Sequence, residues 1–148
     1  MPVLEYHLTA GQYGDEQVET LLMTASRRYA EILDCPIERV RAFAHMHQPS
    51  HMAVAGRLVS YGAPLAPYFH FLVLQGRPQE QCDQLLACFT DLAVDVLGAD
   101  RSLVRGGCWP IPPQYWAIAG APASLVRSRE IEIRNGAPVL FSNSGSVA

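Results

Sequence analysis

Lysine is absent from the sequence, and all 11 basic residues of the 148-residue chain are arginines. Reactions in which a lysine amine forms a Schiff base with a carbonyl substrate are therefore excluded. Recognition of an anion would fall to the forked guanidinium group of arginine. Met1 is followed by the small residue Pro2, a context in which the initiator methionine is usually removed. The secondary amine of Pro2 would then be the one amine of the mature chain.

Groupings typical of metal sites are also scarce. His45 and His47 alternate along one predicted strand with His51 nearby, but no carboxylate or thiolate lies at a useful spacing from them. We therefore expect no metal and no other cofactor. The cysteines form no CxxC pair and show no metal-ligand spacing, and they are expected to be buried thiols: Cys35, Cys82, Cys88 and Cys108.

Long apolar runs and strong charge are missing too. No run approaches the roughly 18 residues of a membrane span, and Met1 is followed by a strand pattern in place of a signal peptide, so the cytoplasm is the expected location. A net charge of -3 and a pI near 5.9 give no electrostatic reason to expect nucleic acid or a membrane surface as a partner. An apolar fraction of 49% over this length is typical of one globular domain.

The chain contains an internal repeat. Residues 2–11 and 67–76 each consist of a proline, an extended apolar run and a glycine, at an offset of 65. After the following turn the offset is 64, and the string HMAVAG at 51–56 returns as YWAIAG at 115–120. Because the repeat keeps its register from end to end, it indicates a duplicated structural unit.

Each half of the repeat predicts a strand, a helix and a second strand. The apolar residues of the middle segments recur at helical spacing, and a crossover of this kind makes the two strands of each half parallel. We therefore predict an α+β fold in which the tandem βαβ repeat gives a four-stranded sheet with two helices on one face. The uncovered face favours a trimer. The predicted strands are 2–9, 39–46, 67–75 and 101–108, and the predicted helices are 15–33 and 79–97.

The predicted domain covers residues 1–126, as halves 2–56 and 67–120 joined by a linker at about 57–66. The remaining residues, 127–148, are predicted to be a C-terminal arm. Within this arm the strings EIEIR and APVLF flank an asparagine-glycine pair at 135–136, which is the pattern of a β-hairpin. The last seven residues, SNSGSVA, are predicted to be a frayed tail.

Both halves resemble the short 4-oxalocrotonate tautomerase subunit. The resemblance covers about residues 2–126 and is carried by GQYGDEQVETLL, ERVRAF and HMAVAGRLVS in the first half, and by LQGRPQEQCDQLL, SLVRGG and YWAIAGAPAS in the second. The chain is thus similar to double-length members of the tautomerase superfamily, such as malonate semialdehyde decarboxylase, cis-3-chloroacrylic acid dehalogenase and 5-carboxymethyl-2-hydroxymuconate isomerase. The resemblance implies a homotrimer, a small carboxylate substrate and a role in the degradation of aromatic compounds.

The resemblance also implies the site residues. Pro2 matches the N-terminal proline that acts as the catalytic base, since a buried amine beside guanidinium groups has a lowered pKa and accepts a proton near neutral pH. Arg77 follows the glycine of the second strand-to-helix turn and would bind the substrate carboxylate and stabilise a dienolate. A further cationic position of the family matches Arg105 and Arg41, and spacing does not choose between them. Arg39, two residues before Arg41 on the same strand face, is another substrate-binding candidate, and Trp116 matches the pocket aromatic.

The second copy of the site is predicted to be lost. In the family each N-terminal proline works with the turn arginine of the other unit, so Pro2 is expected to pair with Arg77. Pro67 would pair with Gln12 instead, and as an internal residue it has no basic nitrogen. Both parts of the second site are therefore missing together.

Departures from the specialised relatives bear on the reaction. The decarboxylase has an acidic residue where this chain has Arg39 and a second arginine where it has Gln79. The dehalogenase uses a carboxylate to activate water, yet no acidic residue occurs between Arg105 and Glu130. We therefore expect an isomerase that catalyses enol-keto proton transfer on a small 2-hydroxydienoate or related carboxylate. A decarboxylase-like or hydratase-like lyase is one alternative, and a catalytically inert binding trimer is an alternative of another class.

Overall fold

The computed structural model describes residues 2–136. Each half contributes two seven-residue strands and a 19-residue helix, and the two predicted helices have the expected bounds. A hairpin of two two-residue strands follows the second long strand of each half, and two short helices end the described chain. In chain order the elements are β1 Val3–Thr9, α1 Asp15–Leu33, β2 Arg41–His47, β3 Ala53–Val54, β4 Arg57–Leu58, β5 Tyr68–Leu74, α2 Gln79–Leu97, β6 Arg105–Ile111, β7 Ala117–Ile118, β8 Ala121–Pro122, α3 Ala123–Val126 and α4 Ser128–Arg134.

The main sheet has the strand order β2-β1-β5-β6. Within each half the two strands are parallel, whereas β1 and β5 meet in the centre as antiparallel neighbours, with Val3 opposite Leu72 and Tyr6 opposite Phe69. The two halves are therefore related by an approximate twofold axis between β1 and β5. This mixed sheet with helices confirms the predicted α+β repeat.

Alternate residues of the central strands face the helices and form the core. Tyr6 is fully buried there, and its hydroxyl donates a 2.7 Å hydrogen bond to the carbonyl of Phe89. The hydroxyl of the buried Tyr29 donates to the carbonyl of Leu72. Because a buried hydroxyl without a partner is costly, these bonds let two tyrosines pack among apolar side chains. The other fully buried large side chains are Leu4, Leu8, Leu21, Phe69, Phe71, Leu85 and Phe89.

The two halves fill the core with different but compensating volumes. Leu4 of β1 pairs with Ala42 of β2, and at the equivalent place in the second half Phe69 pairs with Gly106. The larger aromatic ring lies against a residue that has no side chain. A Cβ atom on Gly106 would lie 2.1 Å from Cζ of that ring, so close packing requires glycine here.

The other face of the sheet is not covered by the helices and carries a cluster of histidines. The carboxylate of Glu5 joins His45, at 2.8 Å from its Nε2 atom, and His70. The Nδ1 atom of His7 lies 2.7 Å from Nε2 of His47. Burial, followed by the neighbouring histidines, lowers the pKa of His7, and the hydrogen bond from His45 lowers the pKa of Glu5. Large apolar residues on this face are partly exposed, including Phe43 (46%) and Trp109 (48%).

The C-terminal arm departs from the sequence prediction, since the segment expected to form the first strand of a hairpin is helical. Amide hydrogen bonds run from Ile131 to the carbonyl of Arg127 (3.0 Å) and from Asn135 to the carbonyl of Ile131 (3.0 Å), the spacing of an α-helix. Alternation over only five residues is a weak strand signal, and in the helix Glu130 forms an ion pair with Arg39. The second predicted strand and the tail lie outside the described residues.

Two smaller differences concern the starts of the outer strands. Strands β2 and β6 begin two and four residues later than predicted, because single helical turns at Ile37–Arg39 and Arg101–Leu103 precede them. Asp100 caps the second of these turns by accepting a 3.0 Å hydrogen bond from the amide of Ser102.

In the predicted linker, β4 pairs with β3 of the first half. Between residues 2 and 136, no helix has both the length and the apolar content of a membrane span.

Candidate functional site

The antiparallel pairing of β1 with β5 brings the start of one half beside the end of the equivalent strand of the other half. Pro2, directly before β1, therefore lies close to Leu72, Val73 and Leu74 at the end of β5 and to the turn that carries Arg77. Together these residues line a small cavity of about 20 Å³, which we name the Pro2 cavity. Pro2 is buried, and its carbonyl accepts a 2.9 Å hydrogen bond from the amide of Arg41.

One wall of the Pro2 cavity is apolar. It is formed by Leu33 at the end of α1, by Leu72 and Leu74, and by Cys35. Burial raises the pKa of the Cys35 thiol even though Arg77 and Arg39 act in the opposite direction. The thiol is therefore protonated at neutral pH and is not an activated nucleophile. Apolar side chains on this wall lower the local dielectric constant, which strengthens electrostatic interactions inside the cavity.

Arg77 lies on the wall formed by the second strand-to-helix turn. Gly76 precedes it with a φ of 102°, a backbone conformation that favours glycine, and the turn directs the guanidinium toward the other half. The Nη1 atom of Arg77 donates to the carbonyl of Leu33 (3.0 Å) and to Oε1 of Gln81 (3.2 Å). Burial and the guanidinium of Arg134 lower the pKa of Arg77, which is nevertheless charged at neutral pH.

Arg39 lies at the opposite side of the cavity and forms a bidentate ion pair with Glu130 of α4. The two hydrogen bonds measure 3.1 Å from Nη1 to Oε2 and 2.9 Å from Nη2 to Oε1. The bond from Arg39 lowers the pKa of Glu130, so this carboxylate is ionised at neutral pH. The pair ties α4 to the body of the domain beside the cavity.

Sequence reasoning missed two arginines that line the Pro2 cavity. Arg127, directly before α4, and Arg134, at its end, line the Pro2 cavity together with Glu130. Positions 127, 130 and 134 follow the spacing i, i+3 and i+7, which places them on one face of a helix. That signal is present in the sequence, but the interpretation of this segment as a strand concealed it.

The remaining predicted site residues lie elsewhere. Arg41 and Trp116 line a neighbouring cavity of about 290 Å³, to which Arg39 and Arg127 also belong. The Nη1 atom of Arg41 donates to the carbonyls of Glu38 (2.9 Å) and Val40 (3.2 Å). The structure thus brings Arg39 and Arg77 to Pro2. It places Arg41 of the first half and Trp116 of the second half in the neighbouring cavity.

Arg105 lies at the symmetry-related end of the sheet and belongs to neither cavity lining. Its amide donates to the carbonyl of Pro67 (3.1 Å), just as that of Arg41 does to Pro2, and its Nη1 atom donates to the carbonyls of Ser102 (2.8 Å) and Val104 (2.9 Å). Within one chain Arg105 is therefore separate from Pro2. Among residues 2–136, no group of three histidine, cysteine or acidic side chains is arranged to hold a metal ion.

Comparisons with known proteins identify relatives of about half the length of this chain. A probable tautomerase of Ralstonia nicotianae is 33% identical over 61 residues, which are 41% of this chain and 87% of that protein. A 2-hydroxymuconate tautomerase of Pseudomonas putida is 35% identical over 60 residues, which are 40% of this chain and 94% of that protein. The chain belongs to the tautomerase family. No family model matches it.

The duplicated architecture of this tautomerase has a counterpart among solved structures. The crystal structure of native fused 4-OT has 27% sequence identity and a TM-score of 0.79, and the alignment covers 84% of this chain and 98% of that one. The resemblance to double-length tautomerases and the expectation of an isomerase are therefore confirmed at the level of the family. Because each relative in the sequence comparison matches about 40% of the chain, it corresponds to one half of the repeat.

Proposed function

We propose that this tautomerase catalyses enol-keto proton transfer on a small 2-hydroxydienoate or related carboxylate, with Pro2 as the general base and without a cofactor. The observation that carries the proposal is the burial of Pro2 in a cavity that arginines line on several sides. The name of the Pseudomonas putida relative supplies the substrate class, a 2-hydroxymuconate.

The chemistry follows from the charges around Pro2. With Met1 removed, the Pro2 amine lies in a cavity whose lining has four arginines and one glutamate, and both burial and positive charge favour its neutral form. This amine accepts the proton of the enol hydroxyl, and the electron pair moves into the conjugated chain as a dienolate. The resulting prolinium then returns the proton to a carbon atom, so no atoms or electrons are gained or lost.

Arg77 has the role of carboxylate binder in this reaction. A guanidinium beside the substrate carboxylate draws electron density toward it as the dienolate forms, which stabilises the transition state more than the ground state. Trp116, Arg41 and Arg105 remain predictions, because within one chain they lie outside the Pro2 cavity.

We also propose a homotrimer. Solved fused 4-OT structures of 22% sequence identity are described as trimers. At this level of identity, their similarity to this chain shows a shared fold and not a shared assembly. The support from this chain is the sheet face without helices, where Phe43 and Trp109 are 46% and 48% exposed. Burying such side chains between subunits stabilises an oligomer. Analytical ultracentrifugation tests this proposal, and a monomer at micromolar concentration would contradict it.

The test of the function begins with the mass of the purified protein, because a retained Met1 would convert the Pro2 nitrogen into an amide that accepts no proton. Ketonisation of 2-hydroxymuconate and of the enol of phenylpyruvate is then compared among wild type, Pro2→Ala and Arg77→Ala. Loss of the base is expected to lower kcat/KM by about 10²- to 10⁴-fold, and loss of Arg77 by about 10-fold or more. Arg101→Ala is the matched control, since Arg101 is an exposed residue that pairs with Asp91.

The outcomes separate the competing functions. Equal rates for wild type, Pro2→Ala and Arg77→Ala would refute the proposal and favour an inert binding protein. Release of CO₂ from a 3-oxo acid, or addition of water to an unsaturated acid, at a rate that exceeds ketonisation would favour the lyase alternative.

A further inference from the structure

Helix α4 forms a wall of the Pro2 cavity although it lies beyond residues 2–126, which carry the sequence resemblance. Arg127 and Arg134 face the cavity, whereas Arg129 of the same helix is exposed. The bidentate pair of Glu130 with Arg39 fixes this orientation. The segment thus presents two guanidinium groups to the place where Pro2 lies.

The charges of the cavity lining do not balance. Glu130 is the acidic residue of the lining and forms its ion pair with Arg39, so its single negative charge also has to serve Arg77, Arg127 and Arg134, which form no ion pair with it. The guanidinium of Arg134 contributes to the lowered pKa of Arg77, which shows that the two positive charges are close. Like charges in a partly buried site repel each other, and an anion between them would relieve the repulsion.

Two arginine side chains of this segment also have N–H donors without a hydrogen-bond partner. Within residues 2–136, Nε of Arg127 and Nη1 of Arg134 are buried and have no hydrogen-bond partner. Such donors have lost their water and gained no acceptor, which is unfavourable unless a ligand supplies one. By contrast, Nη1 of Arg77 already donates to Leu33 and Gln81. The donors without an acceptor therefore belong to Arg127, directly before α4, and to Arg134 at its end.

We propose that Arg127 and Arg134 bind a carboxylate group of the substrate inside the Pro2 cavity, and that the Arg39–Glu130 pair positions α4 for this contact. The proposal rests on the proposed function for the identity of the substrate. A carboxylate accepts two parallel N–H bonds from a guanidinium, and its charge compensates those of Arg127, Arg134 and Arg77 together. The C-terminal segment is accordingly part of the binding site.

The experiment measures binding and turnover separately. Muconate, which lacks the enol hydroxyl and cannot ketonise, is titrated calorimetrically into wild type, Arg127→Met, Arg134→Met and the control Arg129→Met. Methionine retains an apolar stem and removes the charge. Binding is expected to weaken by about 10-fold or more in the two cavity variants, and Arg129→Met is expected to bind as wild type does. Thermal unfolding of each variant verifies its fold.

Ketonisation of 2-hydroxymuconate supplies the second measurement, in which KM is expected to rise more than kcat falls in the two cavity variants. Arg127→Lys and Arg134→Lys keep the charge without the fork and are expected to recover part of the affinity. If muconate binding depends on these arginines while Pro2→Ala retains full activity, the inference holds and the proposed function fails. If Pro2 and Arg77 are required but Arg127→Met and Arg134→Met behave as Arg129→Met does, or if wild type does not bind muconate, the inference is overturned.

Discussion

Replacement of Gly106 by alanine tests the packing of the second half of the core. The added Cβ would lie 2.1, 2.3 and 2.5 Å from three ring atoms of Phe69. Carbon atoms in contact prefer about 3.5–4.0 Å, so the ring has to withdraw by roughly 1 Å or more. It has little room, because Phe69 is fully buried and its ring centre lies 5.6 Å from that of Tyr6 and 5.8 Å from that of Phe89.

Overpacking of this kind costs about 1–3 kcal/mol, and we expect the upper end because the neighbouring aromatic rings confine the displacement. For a chain of this length, about 3 kcal/mol corresponds to a fall of roughly 6–12 °C in melting temperature. The matched control is Gly107→Ala, whose Cβ would lie 3.3 Å from Nε1 of the half-exposed Trp109. The Trp109 ring has to shift by only a few tenths of an ångström, so a smaller loss of stability than for Gly106→Ala is expected.

The assay is thermal unfolding followed by circular dichroism, with urea unfolding to obtain free energies. A Gly106→Ala variant as stable as Gly107→Ala would refute the reasoning. Phe69→Leu supplies a second check through a double-mutant cycle. The alanine at position 106 should cost less when the ring is absent, and an undiminished cost would show that Phe69 is not the obstacle.

Three further predictions concern stability. Tyr29→Phe leaves the carbonyl of Leu72 without its hydroxyl donor and should lower the free energy of unfolding by about 1–2 kcal/mol in urea, whereas no loss would contradict the role of that bond. A double-mutant cycle of Arg39→Gln and Glu130→Gln should give a coupling of about 0.5–1 kcal/mol, because both side chains are partly exposed, and zero coupling would count against the pair. Burial lowers the pKa of His7 below its ordinary 6.5, so its contribution to stability is complete above pH 6.5 and is lost as the pH falls below it. Urea unfolding on both sides of pH 6.5 should show a weaker pH dependence in His7→Gln, and an unchanged dependence would exclude His7 as its source.

Much of the architecture was accessible from the sequence because local patterns dictate it. The duplicated pattern of a proline, an apolar run and a glycine predicted β1 and β5, and helical spacing predicted α1 and α2 with their observed bounds. The pairing of Pro2 with the turn arginine of the other half came from the family resemblance. The structure places the two residues in one cavity because β1 and β5 are antiparallel neighbours.

The sequence by itself determined the repeat and the fold class, because periodicity and a registered duplication are local or pairwise properties. Only the family resemblance predicted that Pro2 and Arg77 share one candidate site. Tertiary structure decided the rest. In it the segment at 128–134 is a helix whose Glu130 pairs with Arg39, a contact between positions 91 residues apart that no local pattern relates. It also separated Arg105 from Pro2 and brought Arg127 and Arg134 to it, because only the packed chain sets which guanidinium groups share a cavity.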